Sequence, residues 1–197
     1  MLKENISFNL IQLDCFDIDF GVRETMFSND IAYTLFLTTR EFMVDFGEDK
    51  NPELVEYVIN NEIPCKAYRT HGGTLVMTPQ DAAIMVLFPH NTTAEEVVPF
   101  LRKQIIGFFN EIAGDHIITE DHNDILMDGF KVSSFSYNQV GYVQMFNFNV
   151  DENLLSLLPL EKPRIKPPKG LIELTGKTKE DLLAYLNSTL VNKNYIE

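Results

Sequence analysis

The chain has 197 residues, 45% of them hydrophobic and 23% charged, which gives enough apolar material for a folded core and excludes a disordered polar chain. Sixteen Lys and Arg against twenty-nine Asp and Glu leave a formal charge of -13, so an electrostatic grip on nucleic acid or an anionic membrane is excluded as the main role. Cys15 and Cys65 make neither a disulfide framework nor a thiolate metal box. With no signal-peptide core at the N-terminus and no apolar run long enough to span a bilayer, the expectation is a soluble cytoplasmic protein.

In chain order the pattern is mixed α/β. Residues 31–37 and 41–47 read as consecutive strands, the second with alternating polarity. Asn51 and Pro52 have the chemistry of a helix start, followed by a helical stretch to Ile59. Residues 74–77 and 82–88 read as buried strands. A long helix follows, with Thr93 and Glu96 at capping-box spacing, one apolar stripe of Val97, Leu101, Ile105, Phe108 and Ile112, and Gly114 at its stop. Pro99 suits the first turn of a helix better than its interior, which predicts a regular part beginning near Pro99. Asp128-Gly129 between two apolar pieces is the chemistry of a two-residue hairpin, and residues 142–150 read as a further strand. Thr178 and Asp181 open a last helix with Leu182, Leu183, Leu186 and Leu190 on its inner face.

The charge is unevenly placed. Residues 1–161 hold nine basic and twenty-five acidic residues, whereas residues 162–197 hold seven and four. The change falls at an extended connector containing Pro163, Pro167 and Pro168. A boundary is expected here, between a main domain of residues 1–161 and a Pro-rich connector with a C-terminal helix packed on it, residues 162–197; the alternative is an ordinary surface crossing within one domain.

Two segments carry candidate chemistry. In Tyr68-Arg69-Thr70-His71-Gly72-Gly73-Thr74, adjacent glycines allow backbone N–H groups to approach a bound group, and Arg69 adds a fixed cation. In the second, Asn123-Asp124 leads into the hairpin that carries Lys131. A strand lysine beside a tight turn can neutralise a phosphate or a developing oxyanion. Taken singly, each segment also reads as an ordinary turn or a solvated lysine.

Taken together the two segments resemble a known family. Arg69-Thr70-His71-Gly72-Gly73 followed by a strand is similar to the Arg-Arg-x-Ser-Gly-Gly-Gly loop of lipoate-protein ligases and the Arg-x-Thr-Gly-Gly loop of related octanoyl and lipoyl transferases. Residues 123–134 look like that family's Asn-Asp-(apolar)-Gly-Lys-Lys-Ile-Ser-Gly hairpin. The resemblance covers roughly residues 30–190. It implies a biotin/lipoate protein ligase-like α+β fold, a mixed sheet with packed helices, plus a small helical C-terminal appendage. It also implies ATP, Mg2+ and lipoate or a similar acyl carboxylate, condensed to an acyl-adenylate that a lysine of an acceptor protein then attacks. Lys131 matches the catalytic lysine, Asn123 and Asp124 the nucleotide- and metal-side pair, and Arg69, Gly72 and Gly73 the loop around acyl and phosphate groups.

The match has departures. Tyr68, His71 and Thr74 stand where ligases carry Arg, Ser or Thr, and Gly, and Ser134 replaces the Gly after the hairpin Ser. A catalytically degenerate protein that binds an acyl ligand or partner protein is thus the alternative. Acyl transfer from a carrier needs a nucleophile that is absent near residues 121–123, since both cysteines are expected in small apolar niches. His116 and His122 lie among Asp115, Glu120, Asp121 and Asp124, but their spacing fits no zinc pattern, and no metal site is expected. Ser133 and Ser134 lack a base and orienter for hydrolysis.

Overall fold

The computed structural model describes residues 9–14, 33–38, 42–45, 51–66, 75–88, 92–139, 141–157, 159 and 166–191. Its strands are β1 (Asn9–Asp14), β2 (Tyr33–Thr38), β3 (Met43–Asp45), β4 (Cys65–Lys66), β5 (Leu75–Met77), β6 (Ala82–Leu87), β7 (Ile118–Asp121), β8 (Asp124–Met127), β9 (Phe130–Asn138) and β10 (Gly141–Phe146). Its helices are α1 (Pro52–Asn60), α2 (Ala94–Ile112), α3 (Glu152–Leu157), α4 (Leu171–Thr175) and α5 (Lys179–Val191). Seven strands form one sheet in the order β1-β2-β6-β10-β9-β8-β7, and three form a second in the order β4-β3-β5. In the large sheet β1 and β2 run parallel and the other neighbours antiparallel. The mixed α/β architecture expected from the sequence is the observed one.

Local signals set most boundaries. Asn51 caps α1 through Oδ1, which accepts from Glu53 N at 2.9 Å, and Pro52 takes the first helical position, where its missing N–H is no loss. Thr93 N donates to Glu96 Oε2 at 3.1 Å at the start of α2. Against expectation, α2 is regular from Ala94 onward with Pro99 inside it. Pro99 and Glu95, whose carbonyl loses its donor, are both exposed, so water can take the place of the missing bond. Asp128 and Gly129 have φ of 51° and 82°, the two positive values of a type I′ hairpin turn.

Several elements escaped the pattern or differ from it. β2 and β3, expected as consecutive strands, belong to different sheets. β4 and β7 are short, β7 is mostly polar, and the six residues of β1 carry no clear period. β10 ends at Phe146, not at residue 150, because the carbonyls of Asn147 and Phe148 turn to accept from Leu171 N at 2.8 Å and Ile172 N at 3.1 Å. Cys65 is exposed on β4, an edge strand of the small sheet, and does not fill an apolar niche as expected. Cys15 lies outside the described residues.

The core lies between the large sheet and α2. Ile105, Phe108, Phe109 and Ile112 of α2 meet Ala82, Ile84, Ile125, Met127, Val132 and Phe146, and Phe108 stands edge-on to Phe146 at 5.6 Å. Leu171, Leu182 and Leu186 belong to the same cluster. The C-terminal helices therefore share the main core, as the apolar face of α5 requires. Thr178 Oγ1 donates to Asp181 Oδ2 at 2.8 Å at the start of α5. No described helix is long and apolar enough to cross a membrane.

Candidate functional site around Lys131

The hairpin β8–β9 positions the candidate lysine. Met127 pairs with Phe130 and Leu126 with Lys131, but a register shift then sets Ile125 opposite Ser133 and Asp124 opposite Ser134. Such a bulge puts two successive residues on one side. Val132 and Ser133 are both buried with the core, while Lys131 stays with Leu126 and Asp124 on the other face of the sheet. The bulge separates the ionic group from the apolar layer beneath α2.

Lys131 is fixed through its backbone as well. Its N–H donates to Pro167 O at 3.0 Å, and its carbonyl accepts from Lys169 N at 3.0 Å and Asn147 Nδ2 at 3.1 Å. The connector thus extends the sheet beside β9 in a parallel bridge opposite Pro168. The Pro167 carbonyl and the Lys169 amide, not a proline nitrogen, supply the bonding groups, so a proline-rich segment can pair here. Gly170 permits the approach, because a Cβ there would lie 2.8 Å from Phe148 O and 2.9 Å from Asn149 Cα.

The side chain of Lys131 lies in a row of alternating charges. Its Nζ is 2.8 Å from Asp124 Oδ1. Lys166 Nζ is 3.3 Å from the other oxygen of Asp124 and 2.6 Å from Asp121 Oδ2. His122 Nδ1, on the exposed β7–β8 turn, is 2.6 Å from Asp121 Oδ1. The hydrogen bond from Lys166 holds the Asp121 carboxyl below the usual carboxylate range, and Asp121 in turn holds the Lys166 ammonium above the usual lysine value. The charges of Asp121 and Lys166 therefore persist at neutral pH. The lysines are 33% and 22% exposed at residues 131 and 166, enough for an anion to reach them from solvent.

The structure brings two of the sequence-derived site residues, Lys131 and Asp124, into contact. Asn123 is exposed in the β7–β8 turn, where its carbonyl accepts from Phe135 N at 2.9 Å. Arg69, Gly72 and Gly73 lie outside the described residues. Lys166 joins the site from forty-two residues beyond Asp124, a partnership that no local spacing announces.

His116 and Glu120 have partners of their own. His116 Nδ1 lies 2.6 Å from Asp128 Oδ2 and its Nε2 lies 2.8 Å from Leu174 O at the end of α4. Those contacts, Asp128 first, raise the His116 pKa above its ordinary 6.5. Glu120 pairs with Arg102 of α2. No group of three or more ligating side chains gathers among the described residues. Both Asp124 oxygens face ammonium groups, Oδ1 that of Lys131 and Oδ2 that of Lys166.

No family model and no curated protein sequence matches the chain. Its likeness is to solved structures. A lipoate-protein ligase A bound with ATP superposes with a TM-score of 0.74 at 12% identity, over 95% of this chain and 84% of that one. A bi-partite lipoate protein ligase of Thermoplasma acidophilum, studied with its E2 lipoyl domain, superposes with 0.72 at 13% identity, over 98% and 86%. A T. acidophilum protein described as a putative lipoate protein ligase, with bound lipoic acid, gives 0.71 at 13% identity, over 95% and 85%. The chain has the fold of lipoate-protein ligases over nearly its whole length.

Proposed function

We propose that this protein is a divergent lipoate-protein ligase, which activates lipoate or a similar acyl carboxylate with ATP and transfers the acyl group to a lysine of an acceptor protein. In the first step a carboxylate oxygen attacks the α-phosphorus of ATP, forming the acyl-phosphate bond as pyrophosphate leaves. In the second, the acceptor amine attacks the acyl carbonyl, an amide forms and AMP leaves. Both steps build negative charge on phosphate and carbonyl oxygens. Lys131 is the residue to stabilise it, as a cation fixed on a strand of a fold whose solved relatives bind ATP and lipoic acid. That placement is the observation that carries the reading.

Other residues take supporting roles in it. Asp124 orients Lys131 through the 2.8 Å pair, Asn123 stands beside the nucleotide, and Arg69, Gly72 and Gly73 wrap the acyl and phosphate groups. Magnesium would arrive on the ATP phosphates, as it does where one or two carboxylates complete its shell. Residues 1–161 form the ligase-like domain. The connector and C-terminal helix, residues 162–197, pack on it, consistent with Leu171, Leu182 and Leu186 sharing its core. The acceptor is a lipoyl domain or a protein like it, by analogy with the T. acidophilum pair.

The test is lipoate-dependent exchange of labelled pyrophosphate into ATP, with lipoate binding measured by calorimetry. Exchange that requires lipoate, or octanoate in its place, supports the reading and ranks the substrates. Binding without exchange would replace the ligase by an acyl-binding protein, and absence of both would end the reading.

A further inference from the structure

Lys131 faces a conflict of charge. Its ammonium is already 2.8 Å from Asp124, a carboxylate with a side chain only 22% exposed, yet the ligase reading, on which this inference rests, needs that charge for the acyl-adenylate. A lysine that neutralises a carboxylate has little field left for a second anion. If it turns away, it leaves a half-buried charge without its partner.

The geometry points to Lys166 as the positioning residue that resolves this conflict, the counter-ion that takes up Asp124 when Lys131 turns to the ligand. Lys166 Nζ already lies 3.3 Å from the oxygen of Asp124 that Lys131 does not use. It rests at 2.6 Å on Asp121, so it is held beside Asp124 without being consumed by it. Its own place depends on Lys131: the connector that carries it is bonded to the amide and carbonyl of Lys131 through Pro167 and Lys169, each at 3.0 Å. Lys131 stands at one end of the row Asp121–Lys166–Asp124–Lys131, and a ligand anion would continue the alternation. Lys166 lies one step behind, with carboxylates on both sides, and acts on the ligand only through Asp124 and Lys131.

The experiment uses the full chain and lipoyl sulfamoyl-adenosine, a non-hydrolysable mimic of the acyl-adenylate, with affinity measured by calorimetry. Thermal melts check that each variant is folded. Lys166→Met should weaken binding roughly tenfold, in keeping with one charge-assisted contact, and Lys166→Arg should restore most of it. In a Lys131→Met background, adding Lys166→Met should change affinity less than about twofold. Full additivity would mean that Lys166 touches the ligand itself, and would overturn the inference while leaving the ligase reading in place. Wild-type binding unaffected by Lys166→Met or Lys166→Gln would overturn it in the same way. Failure of the wild type to bind the mimic would remove the ligase reading and this inference together.

Discussion

The two faces of β9 hold two polar networks of opposite kind. Beneath α2, the Tyr142 hydroxyl donates to Gln144 Oε1, Gln144 Nε2 donates to Ser133 Oγ at 2.6 Å, and the Ser133 hydroxyl donates to the Met145 carbonyl. All three side chains are completely buried, and burial pushes the Tyr142 phenol up so that it remains a donor. The network is neutral, and the Tyr142 and Ser133 hydroxyls and the Gln144 amide each have a partner within it or on the Met145 carbonyl. On the other face, Asp121, Lys166, Asp124 and Lys131 form a charged row that stays in touch with solvent. A buried neutral chain has nowhere to exchange its partners and fixes the pairing of β9 with β10. A half-exposed ionic row can trade one partner for another at small cost. The rigid network lies where it sets register, and the exchangeable one lies around Lys131.

The most severe test of that contrast is Lys131→Ala. It should lower adenylation by about a hundred- to a thousandfold, as loss of one oxyanion donor does. Stability should change by less than about 1 kcal/mol, because Asp124 keeps Lys166. Lys131→Arg should rescue poorly, since a planar fork cannot place a compact charge between carbonyl and phosphate. Pyrophosphate exchange and denaturant melts read both quantities, and a variant that unfolds would show that the ionic face is structural after all.

A second test sets Asp124 against an acid with no cation. Asp81, only 5% exposed, accepts from Thr78 N and Thr78 Oγ1 through Oδ2, each at 2.9 Å. Its Oδ1 finds no partner in hydrogen-bonding geometry, although the amides of Phe148 and Asn149 are near. Burial pushes its pKa up from 3.8 to about 6. A raised acid favours the fold while protonated, so its contribution is full below 3.8 and lost as the pH rises through about 6. Asp81→Asn should therefore gain on the wild type by about 2–3 kcal/mol between pH 4 and 7, read from urea melts at both pH values. A constant difference would refute it.

Gln144→Leu probes the neutral network. It strands the Tyr142 hydroxyl and leaves Ser133 without its donor, and should destabilise the protein by about 2 kcal/mol. Lys131-dependent exchange should survive in the folded fraction. Loss of activity without loss of stability would mean that the two faces are not separate.

The smallest effect belongs to His116. With both ring nitrogens facing acceptors, its imidazolium ties the turn at Asp128 to the end of α4. A raised histidine stabilises fully below its ordinary 6.5 and loses that contribution as the pH climbs through the raised value. Asp128, held low first by His116, contributes above 3.8 and fades as the pH falls. The melting-temperature loss in His116→Ala should therefore be greatest near pH 5–6 and shrink toward alkaline pH. A pH-independent loss would reduce the contact to packing.

The sequence by itself determined the elements whose signals are local. The Asn51-Pro52 start of α1, the capping residues of α2 and α5 and the Asp128-Gly129 turn were legible because each acts within four residues of itself. Lys131 was legible for a related reason, since a lysine beside such a turn must lie on a strand. The tertiary structure decided what lies far apart in the chain. It sent β2 and β3 to different sheets, paired β1 with β2 in parallel, and put Val132 and Ser133 together on the core side through a bulge. It also brought Lys166 to Asp124 by pairing a proline-rich connector with the backbone of Lys131. An ion pair across forty-two residues leaves no period and no motif, because neither partner constrains its own neighbours. Only the sheet, by fixing where β9 and the connector meet, sets two lysines on one carboxylate.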